Sequence, residues 1–206
     1  MYMCSVTPRE VGQLPRVLYA RRNLRLELSQ NQMEILIGTV LGDGYISPAG
    51  KVQLEHSSKQ KSYVDWKFHE LKNLAYEKLS KVDRMDKRSD KIYTSYRFWL
   101  RQYFRPWRKY FYKGKKKFFP KNLKLTPLSL AVWYMDDGCY SDAKCTLSTD
   151  NFSTLSLKRI KKELKFLKIN TYIRSNGKIG ISANSQNDFF AIIKPYIHES
   201  MRYKLP

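Results

Sequence analysis

The chain has 206 residues, of which 42% are hydrophobic and 14% aromatic, so it can bury a core and is not a disordered basic tail. Its 39 lysines and arginines exceed its 18 aspartates and glutamates by 21, and this charge favours a polyanionic partner, either nucleic acid or an anionic membrane surface. No apolar stretch reaches the roughly 18–20 residues of a transmembrane helix. The odd number of cysteines, three, indicates a reducing compartment, such as an organelle (mitochondrion or chloroplast) or the bacterial cytoplasm, rather than secretion.

Residues 1–30 are predicted to form an N-terminal extension that is separate from the rest of the chain. The extension is rich in arginine, as organellar targeting peptides are, but it also contains Glu10 and Glu27, and such peptides are poor in acids. We therefore expect a mobile or helical extension that contacts a nucleic-acid backbone, with a targeting peptide as the alternative. The arginines concerned are Arg9, Arg16, Arg21, Arg22 and Arg25.

In the first half of the chain, Met33–Leu41 is predicted to be a helix that ends at a glycine-rich segment. Lys51–His56 alternates polar and apolar residues in the manner of a half-buried strand. Apolar residues in the range Val64–Leu74 recur at the spacing of one helix face, and Ile92–Phe98 is rich in strand-forming residues. A basic, aromatic tract over Arg101–Lys117 closes this half.

The second half repeats this order after a linker over Pro120–Pro127. It has a predicted helix at Leu128–Met135, a strand at Cys145–Thr149 and an amphipathic helix over Leu157–Leu167. Asn176-Gly177 then signals a hairpin turn. The two strands around that turn and the closing element are predicted at Tyr172–Arg174, Lys178–Ser182 and Ile192–Tyr203.

The two halves also align in sequence. Lys51–Leu71 can be laid on Lys144–Leu164 without a gap, at an offset of 93 residues. The identity is weak, but the order of elements recurs. We therefore predict an α+β protein made of two pseudo-twofold repeats, which span residues 31–122 and 123–206.

The most informative feature is a short acidic signature that occurs once in each half. Leu36–Gly44 and Leu130–Gly138 are apolar runs, each long enough for two helical turns, that end in Asp-Gly. A carboxylate at the end of a buried helix is costly to keep charged without a partner, so two of them indicate a use. In a strongly basic chain the obvious use is to hold a divalent metal against a polyanion. The pattern therefore predicts a nuclease.

The paired signatures, the repeat and the basic character resemble the LAGLIDADG homing endonucleases, in the single-chain branch with two motifs. The segments Trp133–Gly138 and Tyr203–Pro206 resemble in particular the relatives encoded by mitochondrial large-rRNA introns. The resemblance implies two αββαββα repeats that form a saddle of antiparallel sheets, with the motif helices packed at the centre. It also implies a monomer that cuts both strands of a long, specific site in double-stranded DNA, requires Mg²⁺ and supports intron or intein homing.

Close approach of the two motif helices needs small residues, and Gly38 and Gly42 lie four apart on one face of the first helix. Ala131 offers the same in the second helix. Trp133 and Tyr134 are bulky, so we expect an asymmetric helix pair whose packing is less tight.

By the resemblance, Asp43 and Asp137 each serve one strand and bind Mg²⁺. Each is aligned by the glycine that follows it. Asp136 aligns with Gly42, and these two residues are secondary metal candidates that contribute a backbone carbonyl or stabilise the site. The structural alternative is that each Asp-Gly pair only ends a helix.

Lys117 and Lys204 are predicted to be symmetric partners near the scissile phosphate, where a lysine stabilises developing negative charge. Each follows a proline, Pro106 or Pro195, at a similar distance and ends its half. By the resemblance, Gln53 faces the active site from the first strand, with Thr146 as its counterpart. A solvated lysine in a basic run, or a base contact by Gln53, are the alternatives.

Sequence-specific contacts are expected from the strands, because alternate side chains of an antiparallel ribbon can read base edges in the major groove. The alternative for each residue is an ordinary exposed strand position. The candidates are Gln53, Glu55, His56, Ser58, Tyr93, Ser95, Arg97, Thr146, Ser148, Asp150, Arg174, Asn176 and Lys178. Contacts to phosphate are expected from Lys109, Lys113, Lys115, Lys116, Lys121 and Lys124.

Other chemistries fit the sequence poorly. Three histidines and no Cys-x-x-Cys pair argue against a zinc-supported nuclease, and no phosphate-binding loop for ATP is present. Two rival functions remain on the same fold. One is an intron maturase, which binds intron RNA and assists splicing, and the other is a DNA-binding regulator; neither task needs the two acids.

Overall fold

The computed structural model describes residues 14–19, 25–76 and 78–206. A short strand pair, β1 (Val17–Tyr19) and β2 (Arg25–Glu27), precedes two repeats. The first repeat consists of α1 (Gln30–Leu41), β3 (Tyr45–Ile46), β4 (Val52–Ser57), α2 (Lys61–Glu70), β5 (Ser80–Asp86), β6 (Lys91–Trp99) and α3 (Arg105–Phe111). A small hairpin of β7 (Tyr112–Lys113) and β8 (Lys116–Lys117) follows it.

The second repeat has the same order of helices and strands. It consists of α4 (Pro127–Asp137), β9 (Gly138–Ser141), β10 (Lys144–Leu147), α5 (Thr154–Phe166), β11 (Thr171–Ile173), β12 (Ile179–Ile181) and α6 (Gln186–Ile193). Two short 3₁₀ turns, Lys194–Tyr196 and Glu199–Lys204, close the chain. The predicted α+β fold with two αββαββα repeats is confirmed.

Each repeat forms a four-stranded antiparallel sheet. The strand order is β3-β4-β6-β5 in the first repeat and the equivalent β9-β10-β12-β11 in the second. Tyr45, two residues after Asp43, lies opposite Gln53, and Cys139, two residues after Asp137, lies opposite Thr146. The second strand of each sheet therefore has the same register relative to its motif acid, and positions on it correspond at an offset of 93 residues.

The strand β5 is absent from the elements that the sequence pattern predicts. Lysine, aspartate and arginine side chains interrupt its sequence, Ser80–Asp86, so it shows no apolar alternation. It exists because it pairs along its whole length with β6, from Ser80 opposite Arg97 to Asp86 opposite Lys91. Pairing with a strong neighbour overrides a weak local propensity here.

The helices α1 and α4 pack against each other at the centre of the molecule. Each begins with a reciprocal capping box, formed by Ser29 with Gln32 and by Thr126 with Ser129. Gly38 leaves no room for a side chain, because a Cβ there would lie 2.4 Å from the Ser129 carbonyl oxygen. A Cβ on Gly42 would lie 2.5 Å from the Cβ of Asp136. The two glycines thus let the helix backbones approach closely.

The bulky pair in α4 does not loosen this contact, contrary to our expectation. Trp133 and Tyr134 are fully buried within the second repeat. The Trp133 ring packs on Phe152, and the Tyr134 ring packs edge-on against Phe189 and Phe190. Their bulk fills the core of their own repeat, so the helix interface stays tight.

Where the N-terminal extension is described, at residues 14–19 and 25–29, it forms a strand pair that packs on the core, so the prediction of a mobile or helical segment was wrong for these residues. The strands β1 and β2 pair with each other, and the side chains of Leu18 and Leu28 are buried in the common core. The Trp107 indole donates to the Pro15 carbonyl oxygen at 3.0 Å and ties the segment to α3. Arg9, Arg21, Arg22 and Glu10 lie outside the described residues. Within the described ranges, no helix combines the length and apolarity needed to span a membrane.

Candidate active site

The two motif acids meet in one open cleft at the ends of the central helices. Asp43 lies just after α1, and Asp137 is the last residue of α4. The cleft measures about 830 Å³, and the Asp43 side chain is 45% exposed in it. Its other lining residues include Gly42, Tyr45, Lys113, Lys115, Lys116, Lys117, Ser148, Asp150 and Asn151. Pseudo-symmetry therefore brings two carboxylates from distant parts of the chain beside a basic wall.

The electrostatics of the two acids differ. Burial, followed by the nearby carboxylates of Asp43 and Asp136, raises the pKa of Asp137 to about 7. Burial alone would also raise the pKa of Asp43, but the hydrogen bond and charge of His56, with the ammonium groups of Lys67 and Lys117, hold it below its usual value. Burial, together with these neighbouring carboxylates, therefore keeps Asp137 partly protonated near neutral pH. Two carboxylates that face one cleft suit a divalent cation.

Lys117 and Lys204 occupy matched positions at the ends of the two motif helices. The Lys117 ammonium donates to the carbonyl oxygen of Gly42. The Lys204 ammonium donates to the carbonyl oxygens of Met135, at 2.6 Å, and Asp136, at 3.1 Å. Burial lowers the pKa of both lysines, while the surrounding aspartates oppose that shift. Since Gly42 and Asp136 are equivalent residues, the structure places the two lysines symmetrically; their catalytic role stays a prediction.

Asp136 anchors a buried polar network that sequence reasoning missed. The ammonium of Lys67, a fully buried residue, donates to both carboxylate oxygens of Asp136, at 2.7 and 2.9 Å. The Tyr63 hydroxyl donates to the same carboxylate at 2.8 Å, and the Asp43 backbone N–H lies 3.4 Å from it. The Asp136 carboxylate is therefore fully engaged by protein donors. Its backbone carbonyl accepts from Lys204, and its side chain stabilises the site.

The sequence did carry a signal for Lys67. It lies three residues after Val64 and four before Leu71, so it falls on the apolar face of the predicted amphipathic helix. A lysine in that position is buried and needs a partner. Which partner it finds depends on packing between the two halves.

His56 joins this network and its side chain is buried, so its predicted base contact was wrong. In β4 the side chains of Gln53 and Glu55 point outward while Leu54 and His56 are buried. The His56 Nδ1 atom lies 3.3 Å from the Asp43 carboxylate. Strand alternation makes the correction unavoidable, because His56 is three residues from Gln53 and must face the opposite side.

Two further contacts predicted for the strands need correction. Thr146 is 7% exposed and lies opposite Gly180 in the sheet. The ring of Tyr172 packs directly on Gly180, because a Cβ added to this glycine would lie 2.3 Å from the ring. The neighbouring aromatic ring thus covers this part of the sheet, and Thr146 is not open to base contact. Ser58 is exposed but begins a 3₁₀ turn after β4, so it is not part of the ribbon.

The outer face of the first sheet carries most of the remaining candidates. Glu55 lies opposite Arg97, and Tyr93 and Ser95 follow on the same face of β6. Arg84, which the sequence did not single out, pairs with Glu55 and lowers the pKa of that carboxyl to about 2. Gln53 also donates to Glu55, at 2.9 Å. The face is therefore a pre-ordered array of polar groups.

In the second repeat the candidates are spread over the cleft and the β11–β12 turn. Ser148 and Asp150 line the cleft, while Arg174 and Asn176 are exposed at the turn and Lys178 is half-buried. Of the predicted phosphate contacts, Lys113, Lys115 and Lys116 line the cleft, and Lys109 and Lys121 line a separate pocket with Lys113. Lys124 pairs with Glu163 at 3.1 Å.

One cluster in the described residues has the composition of a metal site. Ligand atoms of Asp43, His56 and Asp136 lie within 4.8 Å of one another. The Lys67 ammonium already contacts both His56 and Asp136, so a positive charge occupies this inner position. The Asp43 and Asp137 carboxylates, which face the cleft, are the residues that suit a divalent cation and a polyanion together.

Two acid-bearing helix ends between two pseudo-symmetric saddle-like sheets define the class of LAGLIDADG proteins. The chain belongs to the LAGLIDADG DNA endonuclease family, because the sequence model of that family matches residues 33–189.

Individual relatives agree with this family. DNA endonuclease I-ChuI of Chlamydomonas applanata is 27% identical over 210 residues, which cover 87% of this chain and 96% of that protein. Cytochrome b mRNA maturase bI2 of Saccharomyces cerevisiae is 30% identical over 206 residues, covering 86% of this chain and 48% of the maturase. The structure of homing endonuclease I-WcaI bound to its DNA recognition sequence has the same fold, with a TM-score of 0.76 and 24% identity over 86% of this chain and 87% of that one.

The chain spans about half the length, or less, of the RecA proteins from Mycobacterium and Mycolicibacterium species that it also matches.

Proposed function

We propose that this protein is a site-specific endonuclease that hydrolyses one phosphodiester bond in each strand of a long double-stranded DNA site and so supports intron or intein homing. The observation that carries the proposal is the meeting of Asp43 and Asp137 in one cleft with a basic wall. Two equivalent acids related by pseudo-symmetry match two antiparallel strands, since each strand presents its phosphate to the site in the opposite direction. Membership of the LAGLIDADG DNA endonuclease family supports the same assignment.

The donor set suits Mg²⁺, which prefers carboxylate, phosphate and water oxygens. Asp43 and Asp137 would hold the ion, and when bound it would supply charge neutralisation at the attacked phosphate and the leaving oxygen. The raised pKa of Asp137, caused first by burial and then by the carboxylates of Asp43 and Asp136, supports this assignment, because a bound cation would favour the ionised form. Lys117 and Lys204 hold the carbonyl ends of the two motif helices and keep two ammonium groups beside the cleft.

The remaining charge serves affinity for the DNA backbone. Lys113, Lys115 and Lys116 are exposed along the cleft and would neutralise phosphates without reading sequence. The outer face of the first sheet, with Glu55 and Arg97, would read base edges. We propose a monomer, because one chain already supplies both acids, acting in an organelle or the bacterial cytoplasm.

The test uses a DNA duplex selected for binding from a random pool in EDTA, with each strand labelled separately. Addition of Mg²⁺ should cut both strands at one position. Asp43→Asn and Asp137→Asn should each abolish double-strand cutting while binding in EDTA stays close to that of the wild type. Asp188→Asn, an identical change at an exposed acid of α6, is the control and should cut normally. Full cutting by either motif variant would refute the assigned roles.

A maturase is the second candidate, and the observation that favours it is the similarity to maturase bI2 over 86% of this chain. The discriminating measurement compares how tightly the protein binds the DNA duplex and the RNA transcript that contains this reading frame and its flanks, and whether it cuts the DNA. Tight binding to that RNA with accelerated splicing, and no cutting of DNA in Mg²⁺, would favour the maturase. The presence of the acid pair in the cleft favours cutting, because binding RNA does not need it.

A further inference from the structure

The two motif acids have unequal surroundings. Asp43 is contacted by His56, which in turn contacts Lys67, and this network reaches Asp136. At the offset of 93 residues, His56 and Lys67 correspond to Thr149 and Ile160 in the second repeat. Both are fully buried, and the Thr149 hydroxyl donates to the Gly177 carbonyl oxygen instead of to Asp137. Half of the site therefore has a side-chain support that its counterpart lacks.

The geometry around His56 assigns its tautomer. The Lys67 ammonium lies 3.2 Å from Nε2, and an ammonium group has three donors and no acceptor. Nε2 must therefore accept, which leaves the ring proton on Nδ1. Nδ1 is the atom that faces the Asp43 carboxylate, at 3.3 Å. Lys67 thus orients the donor of His56 toward the motif acid.

The ring of His56 cannot turn away easily. It is 2% exposed at the side chain, and the Tyr63 ring packs on it at a centroid distance of 5.2 Å. Lys67 is held in turn by two bonds to Asp136 and lies 4.5 Å from the centre of the Tyr63 ring. The groups that face His56 are therefore Asp43, Tyr63, Lys67 and Asp136, and together they permit one orientation.

We propose that His56 is a positioning residue for Asp43 and that Lys67 sets the tautomer in which it acts. The consequence is functional asymmetry. Asp43 is held in place before any cation or DNA arrives, whereas Asp137 has no equivalent donor among the described residues. The part of this inference that concerns strand cutting rests on the proposed endonuclease function, while the tautomer does not.

The first test needs no activity. Long-range proton–nitrogen NMR correlations of protein with ¹⁵N-labelled histidine, in EDTA and without DNA, report which ring nitrogen carries the proton. His56 should be protonated at Nδ1 and bare at Nε2, with its signals identified by their loss in His56→Asn. His69 and His198 serve as references within the same spectrum. A proton on Nε2 of His56, alone or together with one on Nδ1, would overturn the proposal that Lys67 sets this tautomer.

The second test follows each strand of the selected duplex separately. His56→Ala should slow one strand by about 10–100-fold, as loss of a supporting contact to a metal ligand typically does, and leave the other strand nearly unchanged. The slowed strand should be the one that Asp43→Asn affects more. His56→Asn, whose amide nitrogen can replace Nδ1 as donor, should restore most of the rate, whereas a purely structural role would leave it as slow as His56→Ala.

Thr149→Ala is the matched control, because it changes the equivalent buried position in the second repeat. It should produce no strand bias, and binding in EDTA should be equal for all variants. Equal slowing of both strands by His56→Ala would contradict the positioning role. Wild-type protein that cuts neither strand would refute the proposed function, and the NMR result would still decide the tautomer.

Discussion

The pair formed by Lys67 and Asp136 offers the sharpest test of how this site is held together. Both side chains have an exposed fraction of 0% and are joined by contacts of 2.7 and 2.9 Å. Replacing Lys67 with Met keeps most of its volume but leaves a buried carboxylate without its counter-ion. Removing one partner of a buried pair costs about 3–5 kcal/mol, so Lys67→Met should lose about that much free energy of unfolding.

A double-mutant cycle separates the pairing from the burial. Asp136→Asn should also be destabilising, because it leaves the Lys67 ammonium buried without a charge partner. The double variant Lys67→Met/Asp136→Asn has neither charge. Its loss of unfolding free energy should therefore be smaller than the sum of the losses in the two single variants, by about 2 kcal/mol or more. Urea unfolding followed by tryptophan fluorescence, in EDTA at neutral pH, measures all four proteins.

The surface pair of Lys61 and Asp65 is the control. Its atoms are 2.6 Å apart, as close as those of the buried pair, but its side chains are 48% and 45% exposed. The same cycle with Lys61→Met and Asp65→Asn should leave the unfolding midpoint unchanged within error, because solvent screens exposed pairs. Additive losses at Lys67 and Asp136, or coupling equal to that of the surface pair, would refute the reasoning that burial makes this contact essential.

Further outcomes follow from the same geometry. Gly42→Ala should destabilise the fold by about 1–3 kcal/mol, because its Cβ would lie 2.5 Å from the Cβ of Asp136 and must push α1 and α4 apart. Thermal unfolding measures this loss. The control is Gly114→Ala, whose added Cβ meets no atom within 4 Å and carries only the strain of a positive φ. Asp137→Asn in EDTA should stabilise the protein by up to about 4 kcal/mol at pH 8 and hardly at all at pH 4. The sign follows because the pKa of Asp137 in the folded protein, about 7, lies above that of an aspartate in the unfolded chain. The wild type therefore loses stability as the pH rises between these two values, and the variant does not. An equal effect at both pH values would contradict this reasoning. The double variant Lys115→Ala/Lys116→Ala should reduce the salt dependence of duplex binding by about two units of slope and leave the cutting position unchanged. A shifted cutting position would show that these lysines read sequence.

The agreement between sequence and structure is strongest where local pattern is enough. Helical periodicity and the Asp-Gly endings located α1 and α4, and the offset of 93 residues matched the register of β4 with that of β10. The equivalence of Lys117 and Lys204 also followed from spacing, because both lie at the end of a repeat and reach the carbonyl ends of the motif helices. These features depend on residues near one another in the chain or on the repetition of one unit.

The failures share a different cause. His56 was expected to contact DNA together with Gln53 and Glu55, although alternation along β4 places it on the opposite face, and the packed sheet decides which of the two faces is buried. Asp136 was given a secondary role because it aligns with Gly42 and has no acidic counterpart in the first motif. Its partners come instead from α2 of the other repeat, where Lys67 lies 69 residues away in the chain.

The sequence alone thus determined the family, the repeated fold and the two acids, because periodicity, glycine spacing and duplicated motifs are local properties. Tertiary structure decided which charges are buried together. A buried ion pair forms between whichever side chains packing brings within reach, and the low dielectric of the core makes that proximity decisive.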